Sequence, residues 1–179
     1  VINRLVNVED GFTERKTEAV ANAAELRKTL VAFANSVPET ETAILFVGVS
    51  DKGKPSGLKS PDSVQKTIRE VAERQCYPPI SYQIQAFESE GETVLAVLVA
   101  ASSERPHFAG QAFVRKGSES VSASKQVYEE LISSRNSKAG KIIRSRDSEV
   151  SVRVFETDQW GRKRILYTLD CKIETCDAH

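Results

Sequence analysis

A chain of 179 residues, 40% of them hydrophobic, is long enough for one globular domain with a real core. Its 25 lysines and arginines balance its 25 aspartates and glutamates, so the net charge exerts no long-range attraction on nucleic acid. Three cysteines without C-x-x-C spacing and two histidines argue against a zinc site and against a disulfide framework.

Membrane insertion is not indicated by the sequence. No apolar run reaches the roughly 18 residues that span a bilayer, and no signal-peptide pattern opens the chain. Unpaired thiols suit a reducing cytosol, although Cys171 and Cys176 could pair with each other. The chain begins at Val1 and contains no methionine, so we expect it to be processed or part of a longer protein.

The first segment, Leu5–Thr17, reads as extended, with apolar and polar positions alternating loosely around the turn signal Asp10-Gly11. A hairpin at this turn would bring Glu9 and Glu14 onto neighbouring strands.

A helix and a buried strand follow. Apolar residues recur at helical spacing from Asn22 to Ser36, and Pro38 stops the pattern. The apolar run Ala43–Val49 predicts a central strand that is buried on both faces. The polar turn after this run places Asp51 at the carboxyl end of the strand.

A second helix is predicted from Pro61 to about Cys76, since a proline and an acid mark its start. Two alternating segments, Ile80–Ala86 and Thr93–Val99, flank the turn Glu90-Gly91-Glu92 and predict a hairpin.

The last part of the main domain contains a short predicted strand, Ala112–Arg115, and a third helix from about Ser124 to Arg135. Because strands pair locally while helices intervene, we expect an α+β fold with a mixed, mainly antiparallel sheet and about three packed helices. Beyond Val150, apolar and polar residues alternate cleanly, which predicts a C-terminal β-hairpin. The predicted division is a domain over 1–135, a basic linker over 136–148 and a hairpin extension over 149–179.

Three carboxylates and a lysine stand beside the strand-like segments: Glu9, Glu14, Asp51 and Lys16. Mg²⁺ and Mn²⁺ prefer oxygen ligands, and a nearby lysine can offset charge on a phosphate. These residues are the candidate catalytic set, with the three acids as metal ligands. From spacing alone, solvated strand and turn residues are the more common explanation, and Glu18 is a spare carboxylate.

Phosphate contacts have two candidate sources. The first is a strand end with Arg115, Lys116 and Ser118, whose side chains and amides could contact a backbone. The second is a basic stretch without acids, which contains Lys138, Lys141, Arg144 and Arg146. Solvated charges and a solvated linker are the alternatives.

Two polar residues outside these sets receive plainer interpretations. The lone His107 is interpreted as a loop residue. Asn35 is interpreted as a residue that caps or ends its helix.

Several motifs occur in a characteristic order over residues 8–135. They are Glu9-x4-Glu14-x-Lys16, the helix segment Leu30–Ser36, the strand segment Phe46–Gly53, Gly57-Leu58, Tyr77–Ile80 and Phe113–Ser118. In this order and spacing the chain resembles the Schlafen-type AlbA_2 domain, a family described as nucleic-acid-binding.

The resemblance implies a metal site made by Glu9, Glu14 and Asp51, holding Mn²⁺ or Mg²⁺ and supporting cleavage of structured RNA such as tRNA. Lys16 would be the accompanying positive group. Family members usually carry a Gly-Gly pair where this chain has residues 37–42, so that loop is expected to be reshaped.

Catalysis is not the only function that the resemblance allows. The alternatives are a non-catalytic DNA-, RNA- or nucleotide-binding regulatory module and a protein-interaction domain. A homodimer or a further domain outside the printed chain is left open.

Overall fold

The computed structural model describes Leu5 and residues 11–145, 150–159 and 162–171, with side chains described at Leu5 and over 11–135. By its internal contacts the chain divides into two compact units, Val1–Arg135 and Asn136–His179. The first unit contains the elements that position the candidate site.

The helices and strands alternate along the chain in an α+β arrangement. In order they are β1 (Thr13–Lys16), α1 (Ala23–Ser36), β2 (Thr42–Val47), α2 (Pro61–Glu70), a π-helical turn (Val71–Gln75), β3 (Gln83–Ser89), β4 (Glu92–Ala100), β5 (Phe113–Lys116), β6 (Glu119–Ser122), α3 (Lys125–Ser145), β7 (Val150–Gln159) and β8 (Arg162–Cys171). This confirms the α+β class and the mixed sheet predicted from the sequence.

The main sheet has the strand order β1-β2-β4-β3. Strand β1 runs parallel to β2, with Glu14 opposite Leu45, whereas β4 pairs antiparallel with both β2 and β3. Since parallel strands end at the same edge of a sheet, the last residue of β1 and the loop after β2 lie together. The backbone N–H groups of Gly48 and Val49 both donate to the carbonyl of Lys16.

The extended segment predicted from Leu5 to Thr17 is observed only in part, and residues 6–10, which contain most of the first strand of the expected hairpin, lie outside the described residues. Leu5 has a helical backbone and is buried, and β1 takes its place in the sheet beside β2. The carbonyl of Leu5 accepts a hydrogen bond from Nε of Arg15 at 2.9 Å. Burial of Leu5 among the apolar residues of the sheet outweighs the weak alternation that suggested a strand there.

Two apolar clusters cover the two faces of this sheet. The larger one packs α1 and α2 on the face that carries Leu45, Val47, Leu95 and Val97. The smaller one lies on the opposite face and contains Phe46 in edge-to-face contact with Phe87. Burial on both faces explains why β2 reads as a continuous apolar run, as predicted.

Helix α1 confirms the predicted helix, and its cap is visible in the sequence. The Asn22 side chain accepts from the backbone N–H groups of Ala24 and Glu25. Helix α2 begins at Pro61, as predicted, and the π-helical turn extends it to Gln75.

Towards the end of the chain, the structure has one strand more than was predicted and a longer third helix. Strand β5 pairs with β6, a polar strand that apolar alternation did not reveal. Helix α3 continues to Ser145, so residues 136–145 of the predicted linker are helical. That segment contains no proline to stop the helix, and its alanine, lysines and arginine favour helix, although Gly140 does not. The predicted C-terminal hairpin is formed by β7 and β8.

Among the residues that the structure describes, no helix combines the length and the apolar character needed to cross a bilayer.

Candidate functional site

Glu14 lies on β1 between two cations. Its Oε1 is 3.0 Å from Nζ of Lys16, and its Oε2 is 2.8 Å from Nη1 of Arg115. The Glu14 side chain is 19% exposed, so solvent reaches the carboxylate only in part. Both oxygens therefore accept charge-assisted hydrogen bonds within the fold.

Arg115 lies on β5, and all three nitrogens of its guanidinium donate hydrogen bonds within the protein. Besides Glu14 it donates to the carbonyls of Gly11 and Ser118 and to the hydroxyl of Ser120. Its guanidinium carbon lies 5.1 Å from the centre of the Phe33 ring. With the side chain 2% exposed, a phosphate would have to displace these partners to reach Arg115.

Lys16 joins β1 to the start of α1. Its ammonium lies 3.4 Å from a carboxylate oxygen of Glu25, which stands in the first turn of that helix. The Lys16 side chain is 8% exposed, whereas that of Glu25 is 41% exposed. Glu14, Lys16, Glu25 and Arg115 thus form one network, called here the charged cluster.

Asp51 has a different environment. It is exposed at the tip of a loop that hydrogen bonds between Ser50 and Lys54 close. Gly48, at the start of this loop, has φ of +88° and a Cβ there would clash with Leu58, so the loop geometry depends on glycine. The backbone bonds of Gly48 and Val49 to Lys16 hold the base of the loop at the end of β1.

The proposed metal ligands are only partly described. Glu9 lies outside the described residues. Among those that are described, no group of three or more His, Cys, Asp or Glu side chains could hold a metal ion. Glu14 already has a cation on each oxygen, and a metal would meet their repulsion, so the described donors alone do not fit a divalent ion.

Glu18, the spare carboxylate, lies at the start of α2. It accepts from the backbone N–H groups of Lys59 and Ser60, at 2.9 and 3.1 Å, directly before that helix begins at Pro61. An acid at this position complements the positive end of the helix dipole. Glu18 also lines an open groove of about 590 Å³, together with Thr17, Ser56 and Glu92.

The phosphate candidates divide by exposure. Lys116 and Ser118 are exposed at the β5–β6 turn, beside the buried side chain of Arg115. Lys138, Lys141 and Arg144 belong to α3 in the segment whose side chains are not described, and Arg146 lies outside the described residues.

Asn35 and His107 form a site that the sequence did not reveal. The Asn35 amide donates to the carbonyls of His107 and Phe113 at 2.8 and 2.9 Å, and its Oδ1 accepts from the His107 N–H at 2.7 Å. Both residues are buried, at 3% and 1% exposure. Asn35 therefore ties α1 to the start of β5, and His107 is a core residue.

The His107 ring is held on both nitrogens. Nδ1 lies 2.8 Å from the carbonyl of Pro78, which can only accept, so Nδ1 carries the proton. Nε2 then accepts from the Ser102 hydroxyl at 2.6 Å. Burial lowers the pKa of His107; the Pro78 carbonyl and Glu104 oppose this shift, and Arg105 and Arg135 add to it.

Arg105 closes the carboxyl end of α1. Its Nε donates to the carbonyl of Ala34 at 2.7 Å, and its Nη2 donates to the carbonyl of Val37. Burial lowers the pKa of Arg105, opposed by Glu39. A lone Arg-Pro-His stretch gave only a weak signal for this, since the carbonyls it meets are about 70 residues distant in sequence.

Comparisons with known proteins agree with this fold. The family model described as "Schlafen, AlbA_2" matches residues 9–124. The solution structure of the N-terminal domain of an ATP-dependent DNA helicase RecG-related protein from Nitrosomonas europaea is 25% identical, with a TM-score of 0.51 over 65% of this chain and 88% of that one.

A second solved structure shows the fold alone. The DIP2311 protein from Corynebacterium diphtheriae is 21% identical, with a TM-score of 0.51 over 68% of this chain and 23% of that chain. No curated protein matches the sequence. Because the family model matches well over half of the length of this chain, the chain belongs to the Schlafen AlbA_2 family.

Proposed function

We propose that this domain binds nucleic acid, RNA or DNA, through exposed cations at the β5–β6 turn and through the basic residues that follow residue 135 in the sequence. Membership of the Schlafen AlbA_2 family over residues 9–124 carries the proposal. The similarity to a domain of a DNA helicase-related protein supports it.

The charges of the chain favour local contacts over a long-range field. Acidic and basic residues balance, so phosphate affinity depends on cations that have no internal partner. Lys116 is exposed, and no ion pair to it is present in the part of the chain whose side chains are described. Lys116 and Ser118 are therefore better phosphate contacts than Arg115.

Salt-dependent binding tests this function. Fluorescence anisotropy of labelled tRNA and of single-stranded DNA should show affinity that falls as salt rises. Lys116→Glu should weaken binding to all sequences and reduce the salt slope by about one, as expected for one lost phosphate contact. Lys66→Glu, an exposed lysine on α2, is the matched control. Equal losses in both variants would contradict a specific surface at the β5–β6 turn.

A second function, metal-dependent cleavage of structured RNA such as tRNA, is proposed for Glu9, Glu14 and Asp51. The observation that favours it is the parallel pairing of β1 with β2, which fixes the base of the Asp51 loop to Lys16. Glu9, Glu14 and Asp51 would hold Mn²⁺ or Mg²⁺, which would supply Lewis-acid chemistry at a phosphate. Lys16 and Arg115 would orient Glu14 and offset charge on that phosphate.

This second function requires Glu14 to exchange a cation for the metal. Phosphate arriving at the site would attract Lys16 or Arg115, because both are cations, and would free one Glu14 oxygen for the metal. Metal affinity should consequently be higher in the presence of RNA than in its absence.

Cleavage of tRNA with Mn²⁺ or Mg²⁺, together with calorimetric titration of Mn²⁺, tests the site. Glu9→Gln, Glu14→Gln and Asp51→Asn should each lose cleavage and metal binding, while Glu41→Gln, an exposed acid between α1 and β2, should keep both. Equal cleavage by all of these proteins would exclude the three acids. RNA binding without cleavage by wild type would leave a non-catalytic module.

A further inference from the structure

An aromatic pair, the exposed Tyr77 and the half-buried Phe108, lies outside the candidate site described above. Tyr77 follows the π-helical turn and is 66% exposed, which is more than any other large hydrophobic side chain in the described part of the chain. Phe108 lies beside it, with ring centres 5.6 Å apart and planes at 57°. Tyrosine is enriched at interaction surfaces, because its ring is apolar and its hydroxyl can hydrogen bond.

Backbone hydrogen bonds hold Tyr77 and Phe108 side by side. The N–H of Tyr77 donates to the carbonyl of Phe108, and the N–H of Phe108 donates to the carbonyl of Tyr77, both at 2.8 Å. The residues that follow Tyr77 and precede Phe108 are joined as well, because His107 donates from Nδ1 to Pro78. A ligand that stacks on this pair would therefore order little of the protein.

Positive charges act on the residues that precede the two rings in the chain. Burial raises the pKa of the Cys76 thiol to about 11, and the charge of Arg27 opposes the shift. Burial lowers the pKa of His107, opposed by the Pro78 carbonyl and Glu104, and the charges of Arg105 and Arg135 add to the lowering. Arg27 and Arg135 are therefore the candidate contacts for the phosphates next to a stacked base.

We propose that Tyr77 and Phe108 form a platform on which the domain stacks one unpaired base of a single-stranded nucleic acid. The proposal rests on the nucleic-acid binding proposed above. Aromatic rings fit this occupant because every base has a π-face, and the positive charges that act on Cys76 and His107 suit its phosphates. Base pairs inside a duplex do not expose that face, so the platform favours single strands, loops and bulges.

The expected consequence is a change of affinity without a change of salt dependence. Loss of one stacked base commonly weakens binding by about tenfold. Tyr77→Ala should therefore bind a single strand about tenfold more weakly with an unchanged salt slope, because no phosphate contact is lost. Tyr77→Phe keeps the ring and should bind nearly as well as wild type.

A fluorescent base provides the direct test. A single strand with one 2-aminopurine among thymines should lose fluorescence when wild type or Tyr77→Phe binds, and keep it when Tyr77→Ala binds. Val20→Ala, another exposed apolar position at 48% exposure, is the control and should behave as wild type. A fully paired duplex of the same length should bind wild type and Tyr77→Ala equally.

The outcomes separate this proposal from the proposed function. Salt-sensitive binding with the same 2-aminopurine signal in wild type and Tyr77→Ala would overturn the platform and leave nucleic-acid binding in place. No binding by wild type would overturn both. Dissociation of a wild-type dimer by Tyr77→Ala, seen by light scattering, together with unchanged strand binding would assign the rings to contact between copies of the chain and overturn the platform.

Discussion

Two polar clusters join α1 to β5 and its neighbours, and they are built differently. The charged cluster consists of Glu14, Lys16, Glu25 and Arg115. A neutral cluster consists of Asn35, His107, Ser102 and the Pro78 carbonyl. Each cluster connects segments that are distant in sequence.

The clusters differ in their contact with solvent. Glu25 is 41% exposed and Glu14 is 19% exposed, whereas Asn35 and His107 are almost completely buried. Burying charge costs more than burying neutral groups whose hydrogen bonds are satisfied. The difference indicates that the charged cluster can exchange partners with a ligand, while the neutral cluster serves to hold loops in place.

The largest effect is expected from Arg115→Met. This variant keeps much of the side-chain volume but leaves Glu14 with one cation and removes the donors to two backbone carbonyls. Breaking a buried ion pair in this way should lower the free energy of unfolding by about 3 kcal/mol. Urea denaturation measures the change, and Arg115→Lys, which keeps the charge, should lose less. An unchanged midpoint would show that the charged cluster does not stabilise the fold.

The second-largest loss of stability is expected in the neutral cluster. Asn35→Ala leaves the N–H and carbonyl of His107 and the carbonyl of Phe113 without their partner inside the protein. The expected loss is about 2 kcal/mol, since unsatisfied buried groups are expensive. Denaturation under the same conditions compares it with Arg115→Met. A larger loss for Asn35→Ala would reverse the order of the two clusters.

The two clusters should also differ in their dependence on pH. Because the pKa of His107 is lowered by folding, its contribution to stability is complete above the unfolded value of about 6.5 and is lost as pH falls through the folded pKa. The slope is at most about 1.4 kcal/mol per pH unit.

Denaturation midpoints between pH 7 and 5.5 measure this slope. His107→Gln should remove most of it, and His179→Gln, the other histidine of the chain, should leave it unchanged. Equal slopes in wild type and His107→Gln would mean that burial does not perturb this ring.

The smallest effect is expected at a surface ion pair outside both clusters. Arg74 and Glu70 are joined at 3.2 Å across one turn, but their side chains are 75% and 47% exposed. Arg74→Ala should change the free energy of unfolding by about 0.3–0.5 kcal/mol. A loss as large as that of Arg115→Met would remove burial as the explanation of the ranking.

Sequence reasoning predicted the elements better than the contacts. Helix α1, the β3–β4 hairpin and β2 were predicted because their apolar periodicity is strong. Strand β6 and the position of β1 were not, since both segments are short and their pairing depends on distant partners.

The structure brings together some of the residues that the sequence singled out. Glu14 and Lys16 form an ion pair, whereas Asp51 lies in the loop after β2, which ends at Val47. The role of Arg115 as a buried partner of Glu14 could not be predicted, because about 100 residues separate them in the sequence.

The sequence by itself determined the family, the α+β class and the order of most elements, because local periodicity and ordered motifs are properties of neighbouring residues. Only the tertiary structure decided which polar groups meet. The parallel pairing of β1, the ion pairs of Glu14 and the hydrogen bonds of Asn35 and His107 all join distant segments. Such contacts form when the apolar faces of the helices and the sheet pack together. Packing removes nearby polar groups from water, and a buried polar group is stable only when it has a hydrogen-bond partner.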